Sequence, residues 1–516
     1  MFEVKGKICF TPKPHINSYE HLGRITELLG MDEDVKLARK QADKNLTAIW
    51  HIYLNKNMWG SVTLDDIKAL AVSKGLSVDS IDEVEFGYMP KIKGVLLKTN
   101  LGSALYPRQK LEDIELYNKN IKPNKNYEDF WSFVDWFLPA FITNGKISSA
   151  INQSNINVID HKQLSTEILQ NNFEHSLTFI YDFSNIIPIT EQTLSKSKTI
   201  SKHVPLIREA MFAFYSGMKI VAISSLIPIV ENIISTIIEA HDSELTIIDK
   251  VNKCIDKANE KIISMHINDA DWIPEEYIEI SVLKVMNERV FILELIRSWL
   301  LNSFYANTKS YKSHSGFNRH IFAHAKSDLW QNPSNFFRAI GVIQAMAFIE
   351  CFAVEGSKVS IFPPNHDERS ESLRQEVFAC LNFQAIKKQL IVSQQISNNL
   401  PFNPTSSDDG WLTRAAILSE KMNNEVVERL RNNNWDCHLI SDPIKDGEYI
   451  TVEAKKEDSL VKVALLYSCA SSNKLYKYLA ESFDYILYQG ASYKQESYAY
   501  NVDAIIRPLN AWLAPE

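Results

Sequence analysis

Cysteine is scarce in this sequence, and its few copies are scattered. The 516 residues contain six cysteines, with no CxxC pair and no spacing typical of metal ligands. These residues are Cys9, Cys254, Cys351, Cys380, Cys437 and Cys469. Such usage is typical of reduced thiols in a cytoplasm, and it predicts no zinc site.

An apolar leader and a clear membrane span are lacking as well. The segment Met1 to Gly6 has no apolar core of the signal-peptide type. The most apolar run, Ile220 to Ile238, is interrupted by Pro228, Glu231 and Asn232, so we expect it to fall short of the roughly 20 apolar residues that a membrane span needs. The sequence therefore predicts a cytoplasmic protein without a membrane partner, and a buried helix at this run.

Positive charge is not in excess. The net charge of −8 argues against a protein that coats polyanions, so any contact with nucleic acid must come from a local basic patch. The candidate residues for RNA binding are Lys196, Lys198, Lys202, Arg208 and Lys326. A solvated loop and helix start is the favoured interpretation of the first four, and contact with an RNA backbone is the alternative.

The chain is too long for one ordinary core, and its patterns change along its length. We predict a mainly α, α+β multidomain protein. Its predicted parts are a mixed α/β N-terminal domain over residues 1–125, a helical domain over 126–355, a connector over 356–409 and a small α/β domain over 410–516.

Several elements are predicted directly from periodicity and turn residues. In the N-terminal domain these include a helix over Leu64–Ser73 and a strand over Gly94–Leu97. In the C-terminal domain a helix, three strands, a helix and a strand follow one another: Trp411–Asn432, Cys437–Ser441, Tyr449–Lys455, Val461–Tyr467, Asn473–Ser482 and Tyr485–Tyr488.

The reactive side chains of the sequence concentrate in the segment Asn318–His324. Arg319 and His324 are five residues apart in a predicted helix, and five steps of about 100° place them about 140° apart, on one broad side. His320 and His324 are four apart and share a face. A guanidinium stays charged and can hold a phosphate, whereas an imidazole can take or give a proton near neutrality. Such a pair can in principle cleave a phosphodiester without a metal.

This segment resembles the R-x4-6-H signature of the HEPN superfamily, in which a polar residue, here His320, follows the arginine. The run Phe214 to Asn232 also resembles a helix of several bacterial HEPN families, with an F-x-x-G start, an alanine and then Glu231. We expect this run to be the central helix of a bundle. We also expect Glu231, an acid among apolar neighbours, to pair with Arg319. The alternatives for Glu231 are another salt bridge or a position at the wet edge of the bundle.

The resemblance implies a central HEPN-like helical bundle and a metal-independent endoribonuclease that acts as a homodimer, with its two motif helices meeting across the twofold axis. It implies proton transfer by His324, stabilisation of the phosphorane by Arg319 and support from Asn318, His320 and Glu231. RNA would be the substrate, no cofactor would be needed, and the products would carry a 2′,3′-cyclic phosphate. The resemblance further implies a toxin or anti-phage defence effector, with a phage-derived trigger or inhibitor protein as partner.

Two alternatives to this nuclease hypothesis remain open at the motif. One is a non-catalytic HEPN-type module for dimerisation or RNA binding. The other is an unrelated helical domain in which His324 is a core residue and Arg319 lies on the surface.

A second set of residues resembles the D…E-x-K arrangement of restriction-endonuclease-like folds. It comprises Asp442, Glu453 and Lys455, with Glu420 on the preceding helix. In such sites two acids hold Mg²⁺ and the lysine supports the attacking water. The gap from Asp442 to Glu453 is short, and Asp442 precedes a proline. A degenerate or look-alike module is therefore favoured over an active metal nuclease, and we expect no bound metal.

Overall fold

The computed structural model describes residues 33–51, 62–238, 245–309, 311–324, 327–397, 411–444, 448–469, 473–489 and 498–516. It is 59% helix and 13% strand, which confirms the prediction of a mainly α fold with small sheets. The chain divides into two compact units, Met1–Pro205 with Leu226–Ser370 and Leu206–Ser225 with Glu371–Glu516. The predicted domain boundaries near residues 125, 355 and 409 remain predictions, as does the HEPN-like arrangement of the helices.

The N-terminal part of the first unit combines two helices with a three-stranded antiparallel sheet. Its elements are α1 (Glu33–Ile49), α2 (Leu64–Ser73), β1 (Val78–Phe86), β2 (Ile92–Thr99) and β3 (Gly102–Pro107), with strand order β1-β2-β3. The predicted helix over Leu64–Ser73 is confirmed. It starts in a capping box, because the side chains of Thr63 and Asp66 each accept a hydrogen bond from the other residue's backbone N–H.

Helices make up most of the middle of the chain. In order they are α3 (Glu115–Phe133), α4 (Asn144–Gln153), α5 (Thr166–Ile180), α6 (Phe183–Pro188), α7 (Val204–Tyr215), α8 (Lys219–Ile237), α9 (Ile247–His266), α10 (Ile280–Met286), α11 (Glu288–Trp299), α12 (Arg319–Ala323), α13 (Ser334–Ala353) and α14 (Glu368–Ser397). Helix α13 packs against α9 and α5 in the core of the first unit.

Among the described helices, α8 and α13 are long and apolar enough to cross a membrane by length and composition. The expectation that the α8 run falls short of a span is therefore wrong on these two criteria. Half of the apolar window of α8 is buried, compared with 94% of that of α13. Helix α13 is the more buried of the two, and the central position of α8 in a bundle remains a prediction. A buried core helix passes the same test, so the finding is a weak indication of a membrane.

The C-terminal part of the second unit is a five-stranded mixed sheet with helices on both faces. Its elements are α15 (Trp411–Lys421), α16 (Glu428–Asn432), β4 (Asp436–Ile440), β5 (Tyr449–Lys456), β6 (Ser459–Leu466), α17 (Asn473–Ala480), β7 (Tyr485–Tyr488) and β8 (Ile505–Pro508). The strand order follows the sequence, with β4, β5 and β6 antiparallel and β7 parallel to both β6 and β8. The predicted order of elements is confirmed, and β8 is an addition to it.

Candidate functional site

The segment with the arginine and histidine is a single short helix. Helix α12 begins at Arg319 and ends at Ala323, and His324 is its C-terminal cap, with its backbone N–H donating to the His320 carbonyl at 3.2 Å. At a rise of about 1.5 Å per residue, Arg319 and His324 are separated by about 7 to 8 Å along the helix axis. The two side chains that carry the predicted chemistry therefore start from opposite ends of one turn and a half of helix.

Asn318 fixes the start of this helix. Its side-chain oxygen accepts from the backbone N–H groups of His320 and Ile321 at 2.9 and 3.1 Å, as an N-cap does. Its amide nitrogen donates to the carbonyls of Ser303 and Ala306 at 2.7 and 3.0 Å. Asn318 is buried, and these four bonds occupy its side chain. Asn318 therefore supports the site by holding α12 in place.

Arg319 forms the predicted ion pair with Glu231 on α8. The guanidinium Nε donates to Glu231 Oε1 at 2.6 Å, and the side chains of Arg319 and Glu231 are 37% and 38% exposed. Glu231 is therefore less buried than its apolar neighbours suggested, and the pair lies at the wet edge of the unit. Within the described residues, the two terminal nitrogens of Arg319 have no protein partner. They are free to bind an anion from solvent.

His324 is exposed and His320 is half-buried. The unrelated-helix hypothesis expects His324 to pack among apolar side chains of a core, and the structure does not place it there. The imidazole of His324 is therefore accessible from solvent. Accessibility of both groups is the first requirement for chemistry on a large substrate such as RNA.

Tyr305 is a buried residue near the ion pair that was not predicted from the sequence. Its hydroxyl has no hydrogen-bond partner among the described residues. Burial raises the pKa of Tyr305 well above its ordinary value; the nearby carboxylate of Glu231 raises it further, and Arg319 opposes this. The hydroxyl therefore stays protonated at neutral pH. No regular element links Tyr305 to Arg319, so spacing carries no signal that could have found it.

The turn before α12 is held against the core helix α13. Asn335 of α13 donates to the carbonyls of Ser315 and Trp330 at 2.7 and 3.1 Å, which ties together the two segments that flank the motif. Gly316 has a φ of 66°, and a Cβ at this position would lie only 2.7 Å from the Trp330 backbone nitrogen. The close approach therefore requires glycine, and it positions the chain that enters the motif.

The candidate RNA-binding residues do not form one group. Three of them are exposed in the first unit: Lys196, Lys198 and Lys202. Arg208 belongs to the second unit, where it pairs with Glu376 at 3.4 Å. Lys326 lies outside the described residues.

The lysine-bearing segment is fixed at two points. The buried carboxylate of Glu350 accepts from the backbone N–H groups of Lys198 and Thr199 at 2.7 and 3.1 Å, and from the Ser197 hydroxyl. A few residues later, His203 Nε2 lies 3.0 Å from Asn232 Oδ1. Asn232 follows Glu231 on α8, so the end of the lysine segment lies beside the helix that carries the partner of Arg319. His203 is a second residue near this site that was not predicted from the sequence.

The structure does not gather the D…E-x-K residues into one metal site. Glu453 on β5 forms an ion pair with Lys462 on β6 at 2.8 Å, while Asp442 and Lys455 are exposed. Val452 packs with Leu418 of α15 in one hydrophobic cluster, so Glu453 faces the opposite side of the sheet from α15, which carries Glu420. In the part of the chain that the structure describes, no group of three or more His, Cys, Asp or Glu side chains could hold a metal ion.

Comparison with known proteins adds no assignment to this geometry. No family model, no curated protein and no solved structure matches this chain.

Proposed function

We propose that this protein is an endoribonuclease that cleaves RNA without a metal ion and uses Arg319 and His324. The observation that carries the proposal is the state of Arg319. Its Nε is held by Glu231 while both terminal nitrogens are unpaired within the described residues, at one end of a short helix whose other end presents an exposed His324. A fixed cation and an accessible imidazole are the two groups that this reaction requires.

The reaction begins with proton transfer from the ribose 2′-OH to a neutral imidazole. The 2′-oxygen attacks the adjacent phosphorus, and the bond from phosphorus to the 5′-oxygen breaks. The leaving oxygen takes a proton from an imidazolium, so the products are a 2′,3′-cyclic phosphate and a free 5′-hydroxyl. Arg319 binds the non-bridging oxygens as charge develops on them.

Two imidazoles serve this reaction better than one, because base and acid act on opposite sides of the phosphorus. A homodimer with two α12 helices facing each other would supply a second His324 and a second Arg319 to one phosphate. In each chain, His320 would lie between Arg319 and His324 and orient these two side chains. The exposed Lys196, Lys198 and Lys202, on the segment whose end at His203 contacts α8, would bind the flanking phosphates of the RNA.

The proposal extends to a biological role by way of the HEPN resemblance. An enzyme that cleaves RNA can damage the RNA of its own cell, so we propose that it is kept inactive until a signal arrives. We therefore propose a cytoplasmic toxin or anti-phage defence effector, with a phage-derived protein as its trigger or inhibitor. The alternative is a HEPN-type module that binds RNA or a second copy of the chain without cleaving.

Cleavage of labelled single-stranded RNA in excess EDTA tests the proposal. Wild-type protein should cut, whereas His324→Ala should lose about 10²- to 10⁴-fold in rate and Arg319→Ala about 10²- to 10³-fold, the range for a lost general base or charge stabiliser. His314→Ala is the matched control, because His314 is exposed a few residues upstream of the motif. Activity that requires Mg²⁺, or that survives His324→Ala, contradicts the proposal. RNA binding without cleavage supports the non-catalytic alternative.

A further inference from the structure

A cavity of about 580 Å³ opens in the first unit, and none of the residues of the Arg319 site lines it. Its walls come from the β1–β2 turn, α3, α4, the 157–159 loop, the end of α10 and the start of α11. Cavities of about 300 to 1,000 Å³ are the usual size of small-molecule sites. It is therefore a site of its own, and the proposed nuclease chemistry does not use it.

The cavity has polar groups that are free to bind a ligand. Within the described residues, the side-chain amides of Asn120 on α3 and Asn152 on α4 have no hydrogen-bond partner, and neither has the hydroxyl of Ser148. Each amide offers one N–H donor and one carbonyl acceptor side by side, and a second N–H donor that points away from them. The ligand that fits them carries neighbouring donors and acceptors.

The two charged residues of the wall supply no free cation. Lys284 lies 2.7 Å from Glu128, and Glu288 accepts from the amide of Asn144 at 2.8 Å. Among the residues that the structure describes, no other Lys, Arg, Asp or Glu lines the cavity. A bound phosphate requires an available cation or a group of N–H donors, and the described wall has no unpaired cation. Glu288, hydrogen-bonded only to a neutral amide, keeps its negative charge, so the ligand is expected to carry no anionic group.

Aromatic and aliphatic surfaces complete the cavity. The Arg289 guanidinium lies 4.6 Å from the centre of the Tyr88 ring, while the Tyr88 side chain remains exposed. Tyr127 is a second exposed aromatic residue in the wall, and Ile147 and Ile151 are buried residues of the same wall. Tyrosine rings in such a position stack on flat heterocycles, and an asparagine amide can bind the adjacent donor and acceptor of adenine.

We propose that this cavity is a binding site for an unphosphorylated purine nucleoside, with adenosine as the best fit. The base stacks against Tyr88, and its donor and acceptor edge binds Asn152, while Tyr127 and Asn120 line the rest of the cavity. The sugar hydroxyls lie at the open rim, where Ser148 is exposed. Lys284 is paired with Glu128, the Arg289 guanidinium lies over the Tyr88 ring, and Glu288 is negative, so a phosphate on the ligand is disfavoured there.

Titration calorimetry with adenosine, combined with thermal unfolding, tests this site. Adenosine should bind saturably and raise the Tm of the wild-type protein. Asn152→Leu and Tyr88→Ala should each weaken binding at least about tenfold, the effect of one lost stacking or paired contact. Gln153→Leu is the control, because Gln153 is the next residue on α4 and does not line the cavity. An unchanged far-UV spectrum shows that each variant folds, and Asn120→Leu replaces any variant that does not.

Four results would overturn the proposal. Adenosine shows no saturable binding; Asn152→Leu and Tyr88→Ala bind it as the wild type does; ribose or glucose competes as well as adenosine; or adenosine 5′-monophosphate binds more tightly than adenosine. The third result would indicate a sugar site, and the fourth a phosphate site.

Discussion

The Nε of Arg319 donates to Glu231 Oε1 at 2.6 Å across 88 residues of sequence. This bond orients the plane of the guanidinium and leaves its outer edge, with both terminal nitrogens, without a partner in the described residues. A planar group held on one side and open on the other matches two oxygens of a phosphate. The relationship connects the two segments of the chain that resemble a HEPN site.

Removal of the carboxylate tests whether Glu231 positions Arg319. The side chains of Glu231 and Arg319 are each more than one-third exposed. Glu231→Ala should therefore change the free energy of unfolding by no more than about 1 kcal/mol. The RNA cleavage rate should nevertheless fall at least about tenfold, since a misplaced guanidinium stabilises the transition state less well. Cleavage kinetics of the single and double variants measure this coupling.

In the Arg319→Ala background, Glu231→Ala should have no further effect on the cleavage rate. Thr236→Ala is the control, because Thr236 lies on the same helix and outside the ion pair. Independent, multiplicative losses from the two variants would show that Glu231 does not act through Arg319.

Loss of the buried cap at Asn318 should be costly for stability. Asn318→Ala removes the N-cap of α12 and leaves the carbonyls of Ser303 and Ala306 without their donor. We expect a loss of about 1 to 3 kcal/mol in the free energy of unfolding by urea. Asn302→Ala, on the exposed surface close by, should stay within about 0.5 kcal/mol of wild type. Equal effects of the two variants would show that the cap does not hold the helix.

Glycine is required at one position next to the motif and is dispensable at another. Gly316→Ala should destabilise the protein by about 1 to 3 kcal/mol, because the φ of 66° and the nearby Trp330 backbone leave no room for a methyl group. Gly145→Ala should be neutral or stabilising by up to about 1 kcal/mol, since Gly145 lies in α4 and a methyl group there would meet no other atom within 4 Å. Thermal unfolding of both variants measures the contrast, and a tolerated alanine at 316 would contradict the described turn.

A buried histidine makes stability depend on pH. Burial lowers the pKa of His266 from its ordinary 6.5 to about 4, so between these values the unfolded chain binds a proton that the folded chain does not. Stability should therefore fall as the pH drops from about 6.5 to 4, by up to about 3 kcal/mol at about 1.4 kcal/mol per pKa unit. Urea unfolding at pH 7 and pH 5 measures this loss.

His266→Gln should reduce the loss of stability between pH 7 and pH 5, because it removes the titrating group. His175→Gln, at an exposed position on α5, should leave the loss unchanged. If all three proteins lose the same stability, His266 is not responsible for the pH dependence.

Much of the secondary structure could be predicted because local patterns determine it. Leu64–Ser73 has a capping box and acidic residues in its first turn, and the element order of the C-terminal sheet follows from short apolar runs between turns. Strand β8 was missed since it is short, ends in proline and lies at the sheet edge. Strand β1 carries several acids and few buried residues, so its apolar pattern is weak.

Tertiary relationships were harder to predict. Helices α8 and α13 have similar apolar composition, and only their packing shows that α13 is the buried one. The pairing of Glu231 with Arg319 was predicted from the acid in an apolar helix, although the structure leaves both side chains more than one-third exposed. The positions of Tyr305 and His203 were not, because no periodic pattern in the sequence relates either residue to the motif.

The measurement that tests the central claim most directly is cleavage of an RNA that carries a single 2′-deoxynucleotide at the mapped cleavage position, in EDTA. If the 2′-oxygen is the nucleophile, the wild-type protein should stop cutting at that position alone and should leave 2′,3′-cyclic phosphate ends at all others. Cleavage at the deoxy position at an unchanged rate, or ends that carry a 3′-hydroxyl, would contradict the proposed roles of His324 and Arg319.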